Sequence, residues 1–166
     1  MTLPLVIDVL DFARNAGLRR GKIVVSSLRR LQDYLVGNSG ELGYSVIGAL
    51  DANGRPVLHI DIQGAVSLQC QRCLEELEHA LDVHTELLLA QNEQEFQSFD
   101  EDESVDCILA QPDMDVLSLI EDEIILSLPS SPRHEQSECK SGGRSDGKVI
   151  REASPFAALA ALKKTH

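Results

Sequence analysis

The chain has 166 residues, enough for one ordinary domain or a domain with a tail. A domain near that size hides roughly 70% of its unfolded surface, so a real core can form. Aromatics make up only 4% and there is no Trp, so that core has to be aliphatic. The formal net charge of -12 argues against an affinity built mainly on neutralising phosphates.

The first residues have no basic stretch ahead of their apolar ones, and Asp8 and Asp11 interrupt them, so no secretory leader is expected. No apolar run approaches the roughly 18 residues of a membrane span. Four cysteines are too few for a disulfide scaffold. A Cys-x-x-Cys pair without a leader points to a reducing compartment, so a cytoplasmic location is expected.

In chain order, Leu3–Asp8 reads as a short strand and Val9–Ala16 as a short helix stopped by Gly17. Lys22–Val25 is strand-like, and Ser26 or Ser27 caps a helix expected over Leu28–Val36, with Leu28, Leu31 and Leu35 as its apolar stripe. Tyr44–Leu50 and Pro56–Ser67 flank Asn53-Gly54, a strong hairpin-turn pair. Glu78–Ala90 reads as a third long strand, with helix as the alternative for its first half. The polar stretch 91–106 is expected to be a surface loop. Asp113 or Asp115 caps a helix over Val116–Leu128, which Pro129 and Pro132 end. Residues 140–151 read as a linker, and Ser154-Pro155 opens a short C-terminal helix. The implied fold class is α+β: an antiparallel β-meander or partial barrel with a few short helices and a flexible acidic loop. The expected division is 1–139 as a domain, 140–153 as linker and 154–166 as a terminal helix.

Charge is unevenly placed. Residues 1–36 hold six bases against three acids, whereas Arg72 and Arg133 bracket seventeen acids and no Lys or Arg. The acidic half would repel RNA and attract a basic partner, although acidic surface that merely keeps a protein soluble fits equally well. Glu121, Asp122 and Glu123 are adjacent on the expected helix, so they do not face one another as an acid/base pair. They read as a solvated face or a docking surface for a basic partner.

Cys70-Gln-Arg-Cys73 is the strongest local motif, since two thiols so spaced can both point at one metal ion. His134 and Cys139 could complete a Cys3His tetrahedron, but about sixty residues separate the two halves, and compact zinc modules use shorter loops. Three readings of the pair stay open: a structural metal site, two reduced thiols packed at a turn, and a redox pair. The last lacks its usual strand-to-helix setting. Cys107 reads as an apolar position. His59, His79 and His84 fall at strand positions where a lone imidazole is ordinarily packed or solvated. No phosphate-binding Gly loop, nucleophile elbow or two-His metal helix is present, and no catalytic residue is assigned.

Cys70–Cys73, Glu121–Pro129, Pro132-Arg133-His134, Cys139 and Ser154–Lys163, in that order and spacing, resemble the YceD family. These are bacterial large-ribosomal-RNA accumulation proteins with relatives in plastids. The first 65 residues and the acidic loop carry little of the likeness. The resemblance implies a role in synthesis, processing or stability of 23S ribosomal RNA, without a defined catalytic activity. It also brings His134 and Cys139 into one motif set with the Cys-x-x-Cys. The expected protein is an accessory factor that binds a large-subunit assembly intermediate or a basic ribosomal protein, with zinc as the candidate cofactor and no membrane partner. The rival from another class is a metal- or thiol-dependent enzyme acting on RNA, centred on Cys70, Cys73 and His134.

Overall fold

The structure, a computed structural model, describes residues 6–100, 106–135 and 139. The expected linker and C-terminal helix, and the start of the first expected strand, lie outside them. The elements are β1 (Val6–Ile7), α1 (Val9–Arg14), β2 (Leu18–Val24), β3 (Glu41–Leu50), β4 (Pro56–Gln69) and β5 (Glu76–Ala90). They continue with α2 (Glu93–Asp100), β6 (Cys107–Leu109), β7 (Met114–Asp115) and α3 (Val116–Ser127).

β2 to β5 form an antiparallel meander, and β6 adds in parallel to the end of β5, giving the order β2-β3-β4-β5-β6. Among the described residues the sheet is open, so of the two expected arrangements the meander is realised and no barrel closes. The fold class is α+β. Strand alternation explains its sidedness. Leu42, Val46, Leu58, Ile60, Ile62, Leu81 and Leu89 point to one face and are buried together with Val9, Phe12, Leu28, Leu31, Ile120 and Ile124. Arg20, Ser45, Asp61 and His84 stand in one row on the other face. On that open face Asp61, and then Asp82, raise the His84 pKa above its usual range.

The turn at Asn53-Gly54 forms as expected. Asp51 accepts from the N–H groups of Asn53 and Arg55, and Gly54 takes the positive φ of 76° that favours glycine. Gly48 is needed for another reason. A Cβ there would lie 2.5 Å from the Phe12 carbonyl oxygen, so only glycine lets α1 sit directly on β3.

Two expectations fail. Leu28–Val36 is not a helix but two short 3-10 turns, Val25–Ser27 and Leu31–Tyr34. The apolar stripe was real, since Leu28 and Leu31 are fully buried. Side chains replace the helical ladder: Glu121 accepts from the N–H groups of Arg30 and Leu31, and Gln32 donates to the carbonyls of Val25 and Leu28. The second failure is the acidic loop, of which Glu93–Asp100 is the helix α2. Asn92 accepts from the Glu95 N–H while the Glu95 carboxylate reaches back to the Gln91 N–H. This reciprocal capping was written in the sequence as Asn92-x-x-Glu95.

α3 follows its reading closely: Asp115 caps it through the Leu117 N–H, and Val116, Ile120 and Ile124 are buried. Glu121 is 6% exposed and ties this helix to residues 30–31 through two backbone N–H groups and the Arg30 guanidinium. Removing a buried acceptor strands its donors, so Glu121→Ala should cost about 2–4 kcal/mol in urea denaturation. Asp122, half exposed and paired with the same Arg30, should cost less than about 1 kcal/mol when changed to Ala.

Candidate metal centre

β4 and β5 are the longest strands, and their register closes on Gln69 opposite Glu76. Residues 70–75 are therefore the hairpin loop, which places the Cys-x-x-Cys at its tip. The loop is tightly wound: the Leu74 N–H donates to the Cys70 carbonyl and the Cys70 N–H to the Glu75 carbonyl, both at 2.9 Å. Leu74 sits at φ 63°, an uncommon conformation for a side chain of that size, and these bonds together with Gln69 Nε2 on its carbonyl hold it there.

The segment after α3 docks on this tip. Gln71 N–H donates to the Pro132 carbonyl at 2.8 Å, which starts the approach. Beyond it His134 and Cys139 reach the two cysteines. One ligand atom from each of Cys70, Cys73, His134 and Cys139 lies within 4.8 Å of every other. Cys70 Sγ to Cys139 Sγ is 3.9 Å and Cys73 Sγ to His134 Nδ1 is 3.4 Å. A tetrahedral zinc with bonds of about 2.0–2.3 Å has ligand–ligand edges of roughly 3.5–3.8 Å, so these spacings match. The two half-motifs meet despite the sixty residues between them.

The surroundings suit the same purpose. His134 Nε2 lies 2.9 Å from the Glu76 carbonyl oxygen, which can only accept, so Nε2 carries the proton. That leaves the Nδ1 lone pair directed at the cluster, the usual way an outer partner fixes a ligand imidazole. Arg72 Nε donates to Cys139 Sγ at 3.0 Å. Three thiolates, a neutral imidazole and a divalent ion sum to one negative charge, and Arg72 offsets it. Its own pKa is raised, first by that bond and then by the Cys139 charge.

The thiols differ in their ease of ionisation. The Cys70 pKa is lowered to about 5, first by the Cys73 backbone N–H and, against burial, by the N–H groups of His134 and Arg72. At Cys73 the Glu75 N–H favours the thiolate, but burial and the neighbouring Cys139 and Cys70 sulfurs outweigh it and raise the pKa. Cys70 and Cys139 are buried, at 0% and 8% exposure, and Cys73 and His134 half-buried. None of Cys70, Cys73 and Cys139 is in a disulfide.

The other sites named from the sequence lie elsewhere. Glu121 and Glu123 are 6% and 9% exposed, so these two are not the solvated face that adjacency on a helix suggested. Glu121 serves residues 30–31, and Glu123 is hydrogen-bonded to Thr85, its pKa raised chiefly by burial. Only Asp122 reaches solvent, and it pairs with Arg30. α3 is packed on several sides, which a run of three carboxylates did not announce. Exposed acids stand instead on β5, where Glu76, Glu78, Asp82 and Glu86 share one face. Cys107 pairs with Leu88 in β6, away from the cluster. Arg72 and the Leu74 conformation were not singled out from the sequence. Arg72 was visible inside the motif, but Leu in place of Gly gave no sign of a positive φ.

With this geometry in place, comparison with known proteins adds an identity. Residues 58–163 match the family described as large ribosomal RNA subunit accumulation protein YceD. The chain belongs to the YceD family. It is 24% identical over 168 aligned residues to the large ribosomal RNA subunit accumulation protein YceD of Haemophilus influenzae, covering 98% of this chain and 97% of that relative. No solved structure matches it. The family match takes in all four cluster residues as well as β5 and α3. Among the described residues no helix is long and apolar enough to cross a membrane.

In metal-free protein the thiolate ultraviolet absorbance should rise in a first step near pH 5, from Cys70. Cys70→Ser should remove that step and leave only a later rise at higher pH, because burial and thiol neighbours hold Cys73 up.

Proposed function

We propose that this YceD-family chain is an accessory factor in ribosome biogenesis that supports 23S ribosomal RNA accumulation by binding a large-subunit assembly component. The observation carrying this reading is the family match over 58–163, joined by a relative whose name states that role. The Cys/His cluster would hold one zinc ion as a closed structural site. Four convergent protein ligands leave a tetrahedral ion no position for substrate, as structural sites do. The rival reading, a metal- or thiol-dependent enzyme acting on RNA, needs either an open position on the metal or an accessible low-pKa thiolate. Four convergent ligands speak against the first, and the full burial of Cys70, the thiol whose pKa is lowered, speaks against the second, so the geometry supports the binding protein.

The docking surface for a basic partner, such as a ribosomal protein, is better placed on β5 than on α3. Glu76, Glu78, Asp82 and Glu86 are all exposed there, with Asp122 the one solvent-facing member of the α3 run. The location of such a factor would be the cytoplasm, where large-subunit RNA is made.

Three experiments test this. Freshly purified protein should carry about one zinc per chain by elemental analysis, and Cys70→Ser or Cys139→Ser should carry far less and melt lower. Fully folded, metal-free protein would remove the zinc reading without touching the ribosomal one. Cells depleted of the protein should show a lowered ratio of large- to small-subunit ribosomal RNA, restored by the wild-type chain. An unchanged ratio would overturn the ribosomal role. Lysine at Glu76, Glu78 and Asp82 together should weaken co-purification of large-subunit components at low salt while leaving the melting temperature close to wild type.

A further inference from the structure

β2 is the terminal strand of the sheet, paired on one side with β3 and with no described strand on its other side. Its register against β3 runs without a bulge from Leu18 opposite Ile47 to Val24 opposite Glu41. The ladder continues at both ends, where Gly48 N–H donates to the Gly17 carbonyl and Val25 N–H to the Gly40 carbonyl. In an antiparallel ladder hydrogen-bonded pairs alternate with non-bonded ones. The odd-numbered residues therefore bond to β3, and Leu18, Arg20, Lys22 and Val24 aim their N–H and C=O groups away from the sheet. Six of the seven β2 residues are exposed, including Leu18 at 47% and Val24 at 49%.

Natural sheets usually blunt such an edge with proline, a bulge or a covering segment. None is described along this one. What guards it is charge: Arg19, Arg20 and Lys22, with no acid in the strand. Arg20 and Lys22 stand on the open sheet face, and Arg19 lies on the other side over the Phe12 ring. Among the described residues the one ion pair of these cations, Lys22 with Glu41 at 3.4 Å, is between exposed side chains and neutralises little.

We infer that the free edge of β2 is a docking site for an acidic, extended segment of a partner protein, which adds to the sheet as a further strand. A peptide strand supplies the alternating donors and acceptors that match the outward N–H groups of residues 18, 20, 22 and 24 and the carbonyls of Arg20 and Lys22. The Leu18 and Val24 carbonyls already accept from Arg19 Nη1 and Ser27 Oγ. Acidic side chains on it would meet cations on both faces, at Arg20 and Lys22 on one and Arg19 on the other. A second copy paired by its own β2 would set these cations against each other. A nucleic-acid backbone would use the cations but give the Arg20 and Lys22 carbonyls no donors, and Asp61 and Asp82 share the open face. The inference is independent of the zinc site and of the ribosomal role, because β2 lies outside the family-matched residues.

Val24 permits a selective test. Its φ of -75° already suits proline, and its N–H points away from β3, so Val24→Pro removes one edge donor while keeping the charge and the β3 ladder. The full chain, labelled with nitrogen-15, would be titrated with a synthetic peptide of alternating Glu and Val. The amides of Leu18, Arg20, Lys22 and Val24 should shift and exchange more slowly with solvent. Val24→Pro should weaken binding by about tenfold with the β3 amide signals unchanged. Arg20→Glu with Lys22→Glu should weaken it too, and a Lys/Val peptide should then bind that double variant in its place. Failure of the Glu/Val peptide to bind, or equal binding by Val24→Pro, would overturn the inference. So would a preference of the β2 amides for oligouridine over the peptide, or a concentration-dependent dimer that closes over β2.

Discussion

The register of β4 against β5 is the constraint on which the rest depends. Thirteen consecutive pairs, from Val57 opposite Leu88 to Gln69 opposite Glu76, fix which residues face the core and which loop joins the strands. A slip of one residue would turn Leu58, Ile60 and Ile62 to solvent and move the loop relative to the segment after α3. Hydrophobic burial along some fifteen residues of strand thus sets the position of two thiols at the far end. Positional accuracy at the cluster is inherited from the sheet, as a site on rigid elements should be.

The second anchor comes from α3. Its buried carboxylate Glu121 joins residues 30–31 to the helix, and Glu123 reaches Thr85 on β5. Between them they fix how α3 lies on the sheet, and with it the direction in which the chain leaves toward Pro132 and His134. Charge that looked like surface is therefore internal wiring, while the surface charge sits on the strands. The open sheet face grades from Arg20 and Lys22 on β2 to Asp82 and Glu86 on β5, with Ser45 on β3 and Asp61 on β4 between. Two partners of opposite charge could approach opposite edges of such a face without competing.

Much of this was legible in the sequence because the signals were local. Period-two alternation marked β4 and β5, Asn53-Gly54 marked the turn that pairs β3 with β4, and Asp113 or Asp115 marked the start of α3. The four cluster residues were named as well, the first pair from their spacing and the second with the help of the family likeness. What stayed hidden was decided by distant partners. Leu28–Val36 has helical spacing, yet Glu121 claims the N–H groups of Arg30 and Leu31 from ninety residues away. Asn92-x-x-Glu95 did signal α2, but the surrounding acidity masked it. The burial of Glu121 and Glu123 could not be read from composition, because only the packing of α3 shows which of three adjacent carboxylates faces inward.

The same distance argument bears on what a metal would do here. Cys70 and Cys139 are sixty-nine positions apart, and loop closure of that length costs the unfolded chain several kcal/mol of entropy. Among the described residues, the protein contacts at this junction include the Gln71 bond to Pro132, the His134 bonds to Glu76 and Cys70 and the Arg72 bond to Cys139. Such contacts are each worth about 1–2 kcal/mol net, a margin comparable to the closure cost. A zinc ion bound by all four ligands would add far more than that margin, since structural zinc binding is itself folding free energy. Its effect would be to pin the segment after α3 against the hairpin tip, leaving the Cys70 thiolate buried, bonded and unavailable for nucleophilic chemistry. Burial, a full ligand set and a charge-balancing Arg72 are properties of a brace, and with zinc bound such a brace at the tip of the longest hairpin would keep the exposed β5 row at a fixed angle to α3.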